Sequence, residues 1–138
     1  MRIILDTNIW ISFLIGHRLP EIRSIVTDER FNVFVCPELI GEIIDVASRD
    51  KIRKYVPSTD VSDLLHIIRA FCHSVEIEID AISEIRDPKD LYLLSLAETI
   101  DAFYIVSGDA DLTIIGQHAN TQIVTLTEFK NLYFKKLF

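Results

Sequence analysis

Four acidic side chains fall where an apolar run gives way to a helical pattern, or just inside such a helix: Asp6, Glu42, Asp90 and Asp109. Asp6 follows Arg2-Ile3-Ile4-Leu5, and Asp109 follows Tyr104-Ile105-Val106-Ser107-Gly108, where Gly108 permits a tight backbone. Each has an alternative use as a helix N-cap, because a short carboxylate accepts from the orphan N–H groups of a first turn. Two strand ends that deliver carboxylates to one sheet edge favour a joint site over two separate caps. In Arg86-Asp87-Pro88-Lys89-Asp90 the capping signature is strongest, with Asp at N-cap, Pro at N1 and an acid at N3. Asp87 is read as that cap, which leaves Asp90 to open a helix that is apolar nearly all round, Leu91-Tyr92-Leu93-Leu94-Ser95-Leu96-Ala97.

Helical geometry selects Glu42 among the three acids of its helix, Glu38, Glu42 and Asp45. At ~100° per residue, Glu42 lies about 120° from the centre of the stripe Leu39, Ile40, Ile43, Ile44, Val46 and Ala47, while Glu38 and Asp45 lie about 160° to 180° away. Glu42 therefore flanks the buried face, and the other two look toward solvent. Asp6, Glu42, Asp90 and Asp109 together offer oxygen ligands with no accompanying His or Cys, which suits Mg²⁺ or Mn²⁺ and not zinc or copper. Clustered carboxylates repel, and a divalent cation relieves the repulsion. Such ions activate water and stabilise charge on a phosphodiester during in-line displacement.

These acids need a scaffold. Five short apolar or β-branched runs read as buried strands, over residues 2–5, 32–36, 75–79, 102–106 and 121–126. Helical spacing occupies residues 8–15, 21–26, 38–49, 61–72, 91–100 and 112–115. Strand alternating with helix predicts a three-layer α/β/α arrangement, a central parallel sheet of about five strands joined by right-handed crossovers. Ligands of such sheets sit beyond the carboxyl ends of the strands, where strand order reverses. Asp6 and Asp109 are in that position.

At 138 residues with 49% hydrophobic content, the chain suffices for one core and is short for two, so a single domain over residues 1–138 is expected. No apolar run reaches the ~20 residues that span a bilayer, and the N-terminus lacks the pattern of a signal peptide, so a cytoplasmic location is expected. A net charge of −7 opposes passive nucleic-acid binding unless bound cations present positive charge to a phosphate. Cys36 and Cys72 lie in no metal-binding spacing and read as buried reduced thiols. His17, His66, His73 and His118 have no acid-base partner at useful spacing and read as surface or packing residues, and Arg49, Lys51, Arg53 and Lys54 as a solvated helix end.

The motifs Ile4-Leu5-Asp6-Thr7-Asn8, Pro37-Glu38-Leu39-Ile40-Gly41-Glu42-Ile43, Arg86-Asp87-Pro88-Lys89-Asp90, Ile105-Val106-Ser107-Gly108-Asp109-Ala110-Asp111-Leu112 and Ile123-Val124-Thr125-Leu126-Thr127-Glu128-Phe129, in this order and spacing, resemble the PIN-domain family. The similarity is greatest to the stand-alone toxins of prokaryotic toxin-antitoxin pairs. The resemblance implies a PIN-like, Rossmann-like fold and a Mg²⁺- or Mn²⁺-dependent ribonuclease. It implies Asp6, Glu42, Asp90 and Asp109 as catalytic acids, a metal set of Asp6, Asp90, Asp109 and Asp111, and Thr7, Asn8 and Ser107 as supporting polar groups. RNA substrate, a cognate antitoxin and a homodimer follow from the same likeness.

Three other readings compete. A receiver domain has a similar length and an acidic Mg²⁺ pocket, but wants paired acids at its first strand and a Lys after its last, whereas Leu126-Thr127 follow here and the next Lys is Lys130. A phosphatase of the haloacid-dehalogenase type wants Asp at position 8, which is Asn. A non-catalytic RNA- or protein-binding PIN-like module is opposed by the full set of acids.

Overall fold

Ile3, Ile4 and Leu5 have no exposed surface, as befits a strand of a parallel sheet covered on both faces. The computed structural model describes residues 1–85 and 87–134, and Arg86 of the capping motif lies outside the described residues. Its strands are β1 (Arg2–Leu5), β2 (Asn32–Val35), β3 (His73–Ser74), β4 (Tyr104–Val106), β5 (Gln117–His118) and β6 (Thr121–Val124). The helices are α1 (Thr7–Ile15), α2 (Leu19–Val26), α3 (Pro37–Ala47), α4 (Asp50–Arg53), α5 (Ser58–Phe71), α6 (Pro88–Ile100), α7 (Ala110–Thr113) and α8 (Leu126–Tyr133). The sheet runs β3-β2-β1-β4-β6-β5, parallel throughout except for β5, which is antiparallel to β6 at the edge. The expected α/β/α fold is present, with six strands among the described residues. Strand order reverses between β1 and β4, so the crevice beyond their carboxyl ends opens at Asp6 and Ser107.

Two predicted strands differ from the structure. The run at 75–79 is not a strand: after β3, Val75 donates to the Val35 carbonyl at 3.0 Å, and the chain then leaves the sheet. Side-chain hydroxyls of α6 take over from the ladder, Thr99 Oγ1 accepting from the Glu78 and Ile79 amides and Ser95 Oγ from the Ala81 amide. The alternation of Val75, Ile77 and Ile79 with Glu76 and Glu78 reports an extended segment, and not its pairing. The run at 121–126 stops at Val124, because Thr125 and Glu128 form a reciprocal capping box that starts α8. The helix α4 and the two-residue strand β5 are too short to leave a periodic signal.

The hinge from β1 into α1 is held by Trp10, which is fully buried and donates from Nε1 to the Leu5 carbonyl at 2.9 Å. Trp10→Phe removes that donor and part of the packed ring, so a loss of about 1–3 kcal/mol is expected in urea unfolding. A loss below about 0.5 kcal/mol would mean that the bond is replaced at no cost. Cys36 is buried and Cys72 partly buried, both are free, and burial pushes their thiols up to about 11 and about 12. His118 has the partner that sequence spacing did not reveal: its Nε2, on β5, lies 2.8 Å from Glu98 Oε2 in the last turn of α6.

Candidate active site

Asp6 occupies the N-cap position of α1, yet its side chain makes no capping bond. Ser107 Oγ donates to Asp6 Oδ2 at 2.7 Å and accepts from the Asp109 amide at 3.0 Å. Ser107 is fully buried, so one hydroxyl ties the end of β1 to the end of β4 and fixes the Asp6 carboxylate between them. Burial raises the pKa of Asp6 above its ordinary value; hydrogen bonds from Ser107 and the Thr7 amide oppose the rise, and the charges of Glu42 and Asp109 add to it. Gly108 has neither a positive φ nor a crowded Cβ position, so the tight backbone expected there is not needed.

Asp87 is the cap of α6, accepting from the Lys89 amide at 3.0 Å. Asp90 is thereby released from capping and is buried. Burial first, then the charge and hydrogen bond of Asp109, and then the charges of Asp87 and Asp6, push the Asp90 carboxyl up to about 7. Asp109 does two things, capping α7 by accepting from the Asp111 amide at 2.9 Å and facing Asp90. Asp90, Asp109 and Asp111 each bring a carboxylate oxygen within 4.8 Å of the other two. Asp111 is exposed and borders an adjoining groove with Ile114 and Ile115.

Asp6 and Glu42 lie outside that trio but line the same cleft as Asp90 and Asp109, a space of about 430 Å³ that exposed Asn8 also borders. Glu42 is half-buried, while Glu38 and Asp45 are exposed, in the order the helical angles predict. The apolar stripe of α3 is narrower than expected, since Leu39, Ile43 and Ala47 are buried and Ile44 is 46% exposed. Thr7, expected as a supporting group, is buried with its hydroxyl unpartnered among the described residues.

Sequence reasoning passed over Tyr92. Its hydroxyl is buried facing the Thr7 hydroxyl, without a hydrogen bond of ordinary geometry among the described residues. Burial holds it well above its ordinary pKa, the Thr7 hydroxyl opposing the rise and the charges of Glu42, Cys36 and Asp6 adding to it. The available signal was a phenol in a helix otherwise buried by apolar side chains, since a buried Tyr hydroxyl ordinarily has a partner.

These residues fit a divalent cation. The donors are all oxygen, and burial with neighbouring carboxylates leaves the Asp90 carboxyl short of compensating positive charge. Asp90, Asp109 and Asp111 could hold such an ion together, with Asp6 beside them.

Among curated proteins no sequence matches the chain significantly. Among solved structures it is similar to a chain of VapBC2 from Rickettsia felis bound to a DNA fragment from their promoter, with TM-score 0.59 and 14% identity over 91% of this chain and 98% of that one. It is also similar to the PIN domain of human SMG5, with TM-score 0.51 and 16% identity over 96% of this chain and 99% of that one. At these identities the likeness is one of fold. The PIN domain sequence pattern matches residues 2–111, which sets aside the receiver and phosphatase readings, and the chain belongs to the PIN-domain family.

Proposed function

We propose that this chain is a metal-dependent ribonuclease acting as one domain over residues 1–138, with Mg²⁺ or Mn²⁺ as its cofactor. The observation that carries the reading is the approach of Asp90, Asp109 and Asp111 to within 4.8 Å of one another, with Asp90 and Asp109 lining a cleft shared with Asp6 and Glu42. PIN domains are generally nucleases. A bound divalent cation supplies Lewis acidity and charge neutralisation for attack of water on a phosphodiester. Asp6, fixed by Ser107, and Asp90, released from capping by Asp87, present the negative charge that holds it. Glu42 forms no hydrogen bond or ion pair among the described residues, so its carboxylate is available to accept a proton from the attacking water. Asn8 borders the cleft as a neutral donor for the substrate.

The toxin role rests on the resemblance of the motifs and on whole-length likeness in fold to the VapBC2 chain. A cognate antitoxin, a homodimer and a cytoplasmic location belong to the same reading. Among the described residues, no helix is long and apolar enough to cross a membrane.

RNA cleavage with and without EDTA tests the reading in the wild type and three variants. Glu42→Gln is expected to lose about a hundredfold or more in rate, while Glu38→Gln and Asp45→Asn stay near wild type. Equal rates in all three variants would remove Glu42 from the site. Cleavage that persists in EDTA, or never occurs with metal, would favour the non-catalytic binding module.

A further inference from the structure

The cleft that holds the acids is not acidic along its whole length. Ile11 and Ile15 of α1 line it at one-turn spacing beyond Asp6, and Val46 of α3 and Ile52 of α4 add to the same apolar wall. Three cations border it as well. Arg49 is committed, with Nη2 3.0 Å from Asp45 Oδ2. Lys51, in the single turn of α4, and Lys89, beside Asp87 and Asp90 at the start of α6, are exposed and have no ion pair among the described residues. Both border a cleft that also holds five carboxylates, Asp6, Glu42, Asp87, Asp90 and Asp109, and pair with none of them.

A chain of net charge −7 repels a polyanion, and the ions at the acids answer only for the phosphate being cleaved. The phosphates on either side of it need cations of their own. Those cations must stand on different elements around the acids and must not be neutralised already by the protein. Lys51 and Lys89 are on α4 and α6, and they line one cleft with acids from the ends of β1 and β4, from α3 and from the start of α6. Ile11, Ile15, Val46 and Ile52 line the same cleft as Lys51 and the acids and offer a surface to a base or ribose face. A base can lie against it only when unstacked and unpaired, as in a single strand.

We infer that Lys51 and Lys89 form a phosphate clamp that seats single-stranded RNA across this cleft, on either side of the scissile phosphodiester. The inference rests on the nuclease reading for the position of that phosphodiester, and its test is a binding measurement that needs no cleavage. A short fluorescent single-stranded RNA of mixed sequence is titrated with wild type, Lys51→Ala, Lys89→Ala, the double variant and Lys54→Ala. Ca²⁺ replaces Mg²⁺, and salt is varied. Lys54 is an exposed cation at the end of α4 that does not border the cleft.

Each clamp lysine is expected to take about 0.7 from the slope of log affinity against log salt, and the double variant about 1.4, while Lys54→Ala keeps the wild-type slope. In cleavage with Mg²⁺, the loss in the clamp variants is expected in KM. The same RNA annealed into a duplex should bind more weakly than the single strand. An unchanged slope in the double variant, an equal effect of Lys54→Ala, tighter binding of the duplex, or no RNA binding by wild type would each overturn the clamp. Lysine-dependent binding without cleavage in Mg²⁺ or Mn²⁺ would leave the clamp and remove the nuclease, whereas cleavage with an unchanged slope would do the reverse.

Discussion

Asp90→Asn is expected to abolish RNA cleavage and, at neutral pH without metal, to make the protein more stable. Asn keeps the shape and a hydrogen-bonding oxygen but carries no charge for a divalent ion, and the cap of α6 is untouched because Asp87 supplies it. The stability change follows from the raised carboxyl. Asp90 holds its proton to about pH 7 in the folded protein, against an ordinary value of 3.8. Between these values the folded state binds the extra proton and the unfolded state does not, so stability of the metal-free protein falls as pH rises from about 4 to about 7. The rise corresponds to at most about 4 kcal/mol, against which loss of a favourable charge in the first turn of a helix costs about 0.5–1 kcal/mol. Burial and repulsion therefore win. The variant should exceed wild type by roughly 2–3 kcal/mol at pH 8 and lie within about 1 kcal/mol of it at pH 4, read from urea midpoints. A folded Asp90→Asn protein that cleaves at the wild-type rate would reduce Asp87-Pro88-Lys89-Asp90 to a helix start. A variant no more stable at pH 8 than wild type would remove the buried repulsion.

Adding Mn²⁺ or Mg²⁺ to wild type is expected to raise its melting temperature, by ~2.7 kcal/mol of stabilisation at a hundredfold excess over the dissociation constant. Asp6→Asn should reduce this gain, and Asp90→Asn should remove most of it, since each loses a charge from the cluster. The effect carries a pH signature. The proton on Asp90 must leave for the ion to bind, so apparent affinity should weaken as pH falls below about 7, by roughly tenfold per pH unit when one proton is displaced. Differential scanning at pH 6 and pH 8 across a Mn²⁺ series measures it. A melting temperature indifferent to millimolar Mn²⁺ at pH 8, equal in wild type and Asp6→Asn, would count decisively against a metal site.

That Asp6, Glu42, Asp90 and Asp109 come to one cleft was legible because each is announced by a local signal. An apolar run that stops at Asp6 or Ser107 marks a strand end, and helical angle separates Glu42 from Glu38 and Asp45. Strand alternating with helix was enough to predict a parallel sheet, and a parallel sheet puts the ends of β1 and β4 on one edge. Tyr92 was not legible in this way, since one phenol among Leu residues does not tell which face it presents. Nor was the fate of residues 75–79, where alternation states that the chain is extended, and the hydroxyls of Thr99 and Ser95 decide that it bonds to a helix.

The sequence by itself determined the order and kind of most elements and the acids at their ends, because periodicity, caps and strand ends are set within a few residues. Only the tertiary structure decided that Ser107, 101 residues away, holds Asp6 out of its cap. It likewise decided that Asp90 meets Asp109 in a contact that lifts its pKa, and that Lys51 and Lys89 border one cleft without an acid for a partner among the described residues. Those are distances between separate elements, fixed by strand register and helix packing, and no local pattern of residues encodes them.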